Sequence, residues 1–341
     1  MRYVVTGATG FIGRPLVRKL LASGHQVTAL VRDAASAAAT TSPSVTLAAG
    51  DVTDKASVQR AVAGADGVFH LAGLYALGRA HHARMAAINV EGTRHVLDAA
   101  ADAGVKRIVH TSTVGVFGNT HGRLVDESYR VEKSALSSEY ERTKWAAHYE
   151  VALPAIARGA PVIIVQPGGV TGPGDASPLA QLYDMFLKRM PVMLGATSGI
   201  TVAHVDDIVD GHIGAMQRGR VGESYILAGP ALTYRQIMEI FQEITGIPGP
   251  RLWLPGGAAA AMSKVASVIE SFTSAGLTFN SESLATLNDY TFWATSAKAE
   301  RALDWHARPA EATFADALAF ELSRRGLKAT TRTLKPETGN R

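Results

Sequence analysis

A triplet of glycines near the N-terminus constrains this chain more than any other feature. Thr6-Gly7-Ala8-Thr9-Gly10-Phe11-Ile12-Gly13 follows a short apolar strand, Tyr3–Thr6, and opens a helix at Arg14–Ser23. Gly7 permits a sharp turn, Gly10 lets backbone approach a pyrophosphate, and Gly13 lets the helix pack closely on the strand. The helix N-terminus then presents unpaired N–H groups and the positive end of a dipole to the phosphates. Thr9, Phe11 and Ile12 belong to the same phosphate-facing turn. The segment predicts a dinucleotide-binding turn; an empty strand-to-helix turn is the plainer alternative.

The rest of the first half repeats the alternation of strand and helix. Gln26–Val31, Val45–Ala49, Gly67–Leu71, Arg107–Thr111 and Val162–Gln166 read as strands. Arg14–Ser23, Ser57–Val62, Ala86–Ala103 and Ser138–Ala152 read as helices between them. Such alternation means βαβ units, right-handed crossovers and an α/β fold with a doubly wound parallel sheet. Asp54 reads as the cap of its helix. Beyond Pro167-Gly168-Gly169 the pattern loosens. Leu179–Arg189, a helix capped by Thr233, and the Ala-rich stretch Gly256–Phe272 suggest a smaller, mostly helical C-terminal substrate lobe. Ile200–Val205 and Ser224–Leu227 are expected to return to the sheet. The division is then 1–172 with returning segments about 200–228, a lobe of 173–199 and 229–327, and a flexible tail 328–341.

Composition narrows the function. The chain has 341 residues, 47% of them hydrophobic, enough for a large core. Lys plus Arg number 34 against 30 Asp plus Glu, with no long basic run, which argues against nucleic acid as a partner. There is no Cys, so disulfides, thiolate catalysis and Cys-ligated metals are excluded. No run of about 18 apolar residues predicts a membrane span. The N-terminus does not follow the order of a signal peptide, so a soluble, cytoplasmic protein is expected. His81-His82 and His204 with Asp206-Asp207 suggest metal ligands at first sight. Adjacent helical side chains diverge by about 100°, and a strand-end Asp capping a helix Ile208–Met216 explains the second group. No metal is expected.

Further motifs line up behind the glycine turn. Tyr140-Glu141-Arg142-Thr143-Lys144 places Tyr140 and Lys144 four residues apart, on one face of a helix. Thr111-Ser112-Thr113-Val114-Gly115-Val116-Phe117-Gly118 follows the fifth strand, and Asn89-Val90-Glu91-Gly92-Thr93 and His204-Val205-Asp206-Asp207 recur in order. Together these segments resemble the extended short-chain dehydrogenase/reductase family, also described as the NAD-dependent epimerase/dehydratase family, over about residues 1–325. The resemblance implies a Rossmann fold and a nicotinamide cofactor.

It also implies roles. Tyr140 is the general acid or base and Lys144 tunes it and holds the nicotinamide ribose. A neighbouring ammonium favours phenolate and brings the tyrosine toward working pH. Thr113, counted back from Gly118, takes the family's hydroxyl position and holds the substrate oxygen; Ser112 is the alternate. Asp51 receives the adenine amino group and Val52 meets the ring. Leu71, Ala72 and Gly73 let the adenosine side lie close, and Pro167 and Val170 line the nicotinamide. Gln166 departs from the Arg the family often carries there. Asn89 is structural or supports active-site water. Dimers are implied through Ala86–Ala103 and Ser138–Ala152.

Two readings decide the cofactor. An acidic residue ending the second strand would bind the ribose 2′-hydroxyl of NAD. Here Arg32 ends it, placed to clamp a 2′-phosphate, and favours NADP; a one-residue shift to Asp33 would favour NAD. For function, Phe69-His70-Leu71-Ala72-Gly73, Tyr75 and Arg32 fit a reductase of a ketone or aldehyde on a small organic substrate, resembling dihydroflavonol reductases. An NAD-dependent nucleotide-sugar epimerase is the alternative, and a non-catalytic nucleotide-binding subunit a third. Val114-Gly115 lacks the acidic pair of the dehydratases, and no Arg cluster for a diphosphate stands out in the C-terminal half. Met185, Phe186, Met190, Met193 and Trp253 could line the substrate site or serve as core.

Overall fold

A computed structural model of the chain describes every residue except 39–41, 77, 178, 273–280 and 328–341, and omits the side chains of 267–272, 282 and 283. The tail expected at 328–341 therefore lies outside the described residues.

The strands in chain order are β1 (Arg2–Thr6), β2 (Gln26–Val31), β3 (Val45–Ala49), β4 (Gly67–His70), β5 (Arg107–Thr111) and β6 (Val162–Pro167). After them come β7 (Gly169–Thr171), β8 (Val192–Met193), β9 (Gly199–His204), β10 (Ser224–Leu227), β11 (Ala231–Thr233), β12 (Leu252–Trp253) and β13 (Thr291–Phe292). Seven of them form one parallel sheet in the order β10-β6-β5-β4-β1-β2-β3. The winding reverses between β1 and β4. In such sheets ligands bind in the crevice beyond the carboxyl ends at the reversal, which here is where Gly7 and Leu71 begin.

Period-two alternation divides the core between the two faces. Val5 joins the cluster under the helices Gly13–Ala22 and Val205–Arg218, with Leu16, Leu20 and Ile208. Its neighbour Val4 joins the opposite cluster, with Val68, Ile108, Leu97 and Val151 under Lys55–Val62 and Gly92–Asp102. Leu16 and Leu97 are fully buried, and truncating either to Ala costs about 2–5 kcal/mol.

Three expectations change. β10 rejoins the main sheet, with Ile226 beside Gln166. β9 does not; it is the centre of a second sheet, parallel to β7 and β13 and antiparallel to β11. The open edge beside β6 is taken by β10, and Gly168 lets the chain turn away onto β9: a Cβ there would stand 2.7 Å from the Thr201 carbonyl oxygen. The helix expected at Ser138–Ala152 starts at Glu139 with Ser138 as its cap and continues through a π turn, Ala147–Ala152, to Ala157. The helix at Val205–Arg218 is capped by His204, whose Nδ1 accepts from the Asp206 N–H at 3.1 Å, rather than by an Asp. Asp54 and Thr233 do cap their helices, Thr233 in a reciprocal box with Gln236.

The second half has its own aromatic core. Tyr183 stacks on Phe241 at 4.9 Å, and Phe186 and Phe314 meet Phe241 edge-on. Phe186 and Met193 are buried there, and Met185 and Trp253 pack against it, so these residues are core and not pocket lining. The helix Gly256–Phe272 has the bounds expected of it. Among the described residues no helix is long and apolar enough to cross a membrane.

Candidate active site

The glycine turn is shaped by contacts that only glycine allows. Gly7 has φ +72°, and a Cβ on it would lie 2.8 Å from the Ala72 nitrogen. A Cβ on Gly13 would lie 2.1 Å from the Gly7 carbonyl oxygen. Gly10 N–H closes the turn on Gly7 O at 3.0 Å, and Arg14 Nε donates to Thr9 O at 2.8 Å. The helix behind starts after Ile12 with no side-chain cap and no acidic residue in its first turn. Among the described residues no side chain caps that helix end, so the turn, with Phe11 and Ile12, fits an anionic pyrophosphate.

The strand ends beside it are arranged to match. Leu71 N–H donates to Thr6 O at 3.2 Å; Leu71 and Ala72 are half-buried and Gly73 is exposed. Asp33 Oδ1 accepts from the Ala35 and Ser36 N–H groups at 3.0 and 3.1 Å, capping the short helix Ala34–Ala38. Arg32 is exposed and has no ionic or hydrogen-bonding partner among the described residues. Asp51 Oδ1 is held by Thr53, through its N–H and hydroxyl, both at 2.9 Å. Val52 is buried against Gly92, and its carbonyl accepts from His95 Nδ1 at 3.0 Å.

The catalytic candidates meet beyond β5. Ser138 caps the helix Glu139–Ala146, which carries both Tyr140 and Lys144. Thr113 caps a short turn by accepting from Gly115 N–H at 3.1 Å, and its hydroxyl stands beside the Tyr140 phenol, where it favours the phenolate. Ser112 faces away: it is buried, with its hydroxyl 2.9 Å from His148 Nδ1. The structure thus brings Thr113, not the alternate Ser112, to Tyr140. Lys144 is buried, and its ammonium donates to the Thr111 carbonyl at 2.7 Å.

The acidities differ from the sequence expectation. Burial pushes the Tyr140 phenol up to about 12, with the Thr113 hydrogen bond opposing and the Glu141 charge adding to the rise. Burial pushes the Lys144 ammonium down to about 8. The protein on its own therefore keeps Tyr140 protonated, and Lys144 is the group that titrates near neutrality.

Several supporting contacts, unlike the residues that make them, carry no local signal in the sequence. Tyr75 packs its ring 4.4 Å from that of Tyr140. Glu141 is buried and accepts from the Tyr290 hydroxyl at 2.8 Å, joining residues 149 positions apart. Asn89 is structural: its amide accepts from Leu74 N–H at 2.7 Å and donates to Leu74 O at 2.9 Å and Thr143 Oγ1 at 3.0 Å. Pro167 is buried at the end of β6, and Val170 is half-buried in β7. Gln166 is buried with neither amide atom hydrogen-bonded.

A cleft of about 530 Å³ opens beside Tyr75. Asp175, Ser177, Gln181 and Asp184 line one side, and Glu321, Arg324 and Arg325 from the helix Ala310–Arg324 and its C-cap line the other. That arginine pair is absent from the sequence reading. Both guanidiniums are engaged by Glu321, and Arg325 also by Asp184 at 3.1 Å. His81 and His82 lie on consecutive short helical turns.

Comparison with known proteins agrees with this geometry. A family model described as the NAD dependent epimerase/dehydratase family matches residues 3–228. The chain is 33% identical to sterol demethylase protein B of Methylococcus capsulatus over 94% of its own length and 98% of that protein. It is also 33% identical to a 4-hydroxy-2-methyl-3-oxo-4-farnesyl-3,4-dihydroquinoline-1-oxide ketoreductase of Stigmatella aurantiaca, over 76% of this chain and 78% of that one. Among solved structures, the protein designated gox2253 aligns with TM-score 0.82 at 31% identity, covering 96% of this chain and 99% of that one. A dTDP-glucose 4,6-dehydratase from Streptomyces venezuelae with NAD bound aligns with TM-score 0.75 at 25% identity, covering 96% and 98%.

Proposed function

The chain belongs to the NAD dependent epimerase/dehydratase family and is an NAD(P)-dependent enzyme of the extended short-chain dehydrogenase/reductase type, and we propose that it reduces a ketone or aldehyde of a small organic substrate with NADPH. The observation that carries the reading is the pairing of the Thr113 hydroxyl with the Tyr140 phenol, beside a glycine cradle and with Lys144 behind.

When bound, the dinucleotide supplies the hydride. The chain's own residues do the rest. Thr113 and Tyr140 hold the substrate oxygen between two hydroxyls, which fixes the carbonyl and polarises it. Tyr140, kept protonated by burial, delivers its proton to that oxygen. Lys144 stands one helical turn away, anchored to Thr111 O, where its charge favours the phenolate that proton transfer leaves. Tyr75 covers the Tyr140 ring and limits water.

For the cofactor, the capping role of Asp33 leaves Arg32 as the free charge at the end of β2, which supports a 2′-phosphate and hence NADP over NAD. For the substrate, three carboxylates share the cleft and two of them, Glu321 and Asp184, hold its arginines, an arrangement that disfavours a nucleotide diphosphate. This favours the reductase over a nucleotide-sugar epimerase, and the ketoreductase relative points the same way. A cytoplasmic homodimer, packed through Ala86–Ala103 and the helices from Glu139, belongs to the same proposal, and light scattering in solution tests the dimer.

The test is to denature the purified protein and identify what it releases by mass spectrometry. Little or no cofactor, or NADP(H), supports an exchangeable cosubstrate and a reductase. Near-stoichiometric NAD overturns it in favour of a cofactor recycled in place.

A further inference from the structure

Two runs of hydrogen bonds, joined only through the covalent frame of Asn89, lead from the dinucleotide turn to the catalytic helix, and the direction of each can be worked out link by link. Ala72 N–H can only donate, and it donates to Thr6 Oγ1 at 3.1 Å. At the far end, Leu74 N–H donates to Asn89 Oδ1, which fixes the Asn89 amide so that Nδ2 donates to Thr143 Oγ1 at 3.0 Å. Thr143 then spends its one proton on the Tyr140 carbonyl at 3.0 Å. In the middle, Thr93 Oγ1 must donate to the Asn89 carbonyl at 2.6 Å. Having spent its proton there, Thr93 can only accept from His70 Nε2, 3.0 Å away. His70 therefore carries its proton on Nε2, and its Nδ1 accepts from the Thr6 hydroxyl at 2.8 Å.

All six donors point the same way, from Ala72 to Tyr140. Within each run, on either side of Asn89, head-to-tail bonds polarise one another, and in a buried setting each lost partner is costly. Thr6, His70, Asn89, Thr93 and Thr143 are all buried. His110 lies on the neighbouring strand directly beside His70, and its ring stacks at 5.3 Å with planes 23° apart, which holds the imidazole plane. The outer ends of the two runs matter to the reaction. Ala72 touches Gly7, so it moves with the cradle; Tyr140 delivers the proton.

We propose that His70 is a positioning residue that ties the dinucleotide turn to the helix of Tyr140, so that cofactor binding at Gly7 and Ala72 orders the proton donor. This rests on the reductase reading only in its use of a dinucleotide. It assigns His70 no contact with substrate. Being neutral, His70 keeps one lone pair for Thr6 and one proton for Thr93, and burial with the Lys144 charge holds it neutral.

Hydrogen exchange followed by mass spectrometry tests it without turnover. Peptides spanning 7–13 and 139–146 are compared with and without NADPH, and in parallel with NADH. The parent protein should slow exchange in both peptides. His70→Phe should keep the slowing in 7–13 and lose about tenfold of it in 139–146, the scale of one lost hydrogen bond. His70→Gln, which offers an acceptor and a donor in similar places, should restore most of it. Thr93→Val, nearly isosteric, should repeat the His70→Phe result if that variant does not fold. Unchanged slowing of 139–146 in Thr93→Val and His70→Phe would overturn the coupling while leaving the cofactor reading intact. Slowing of neither peptide by either dinucleotide would overturn the cofactor reading and the coupling with it.

Discussion

The Lys144 ammonium donates to the carbonyl of Thr111 at 2.7 Å, inside the protein and one helical turn from Tyr140. Burial lowers its affinity for a proton to about 8, while the Tyr140 phenol is raised to about 12. The lysine, not the tyrosine, is therefore the group that changes charge between pH 7 and 9. Its charge is half lost at about pH 8, nearly complete at pH 7 and nearly gone at pH 9. The reductase rate should fall as pH rises through about 8, and Lys144→Met should be slow at every pH and lack that limb. A parent profile flat to pH 10 would contradict this assignment.

Arg32 and Asp33 separate cleanly by experiment. Arg32→Asp removes the one unpaired cation at the end of β2 and should move preference from NADPH toward NADH, read as the ratio of kcat/KM for the two. Asp33→Ala removes a helix cap and should cost about 1 kcal/mol of stability with little change in that ratio. Reversed effects would place the 2′-position at Asp33.

The Glu141–Tyr290 hydrogen bond fastens the catalytic helix to the chain near β13. Tyr290→Phe leaves a buried carboxyl with one donor fewer, although Ser137 N–H and Ser138 Oγ still serve it at 3.0 Å each. The expected loss is about 1–3 kcal/mol in chemical denaturation. A loss within error would mean that water or a side-chain shift replaces the bond.

Buried histidines make the fold acid-sensitive. His70 and His148 are held down to about 3 and His212 to about 4, and His110 is also lowered, all chiefly by burial. Unfolded histidine binds its proton near pH 6.5, so the unfolded state gains protons first as pH falls. Stability is thus full above about 6.5 and declines below it, by about 2 kcal/mol at pH 5 for each of His70, His148 and His212, with His110 adding in the same direction. The midpoint of thermal unfolding should drop steeply between pH 7 and 5; a constant midpoint would count against their burial.

The parts of this molecule written locally were legible in the sequence. The glycine turn and the Tyr140–Lys144 spacing depend on residues within one turn of chain, where propensity and sterics act directly. Thr113 could be told from Ser112 only by counting, and the packing of Ser112 on His148 supplies the physical reason. Tyr75 and the Glu141–Tyr290 pair lie in loops or across long separations, where no periodicity reports a partner, and the i+3 and i+4 spacing of Arg324 and Arg325 from Glu321 does not reveal the cleft that they face. The place of β9 was missed because a short apolar strand reads the same in either sheet. The acidity of Tyr140 differs from the expectation because burial, a property of packing, dominates it and the Glu141 charge adds to the rise.

The central claim is that Tyr140 delivers the proton, and one variant tests it most directly. Tyr140→Phe should leave NADPH binding near the parent value, measured by fluorescence titration. It should also abolish NADPH consumption with every carbonyl compound that the parent reduces. A Phe variant that still turns over at a rate comparable to the parent would contradict the account.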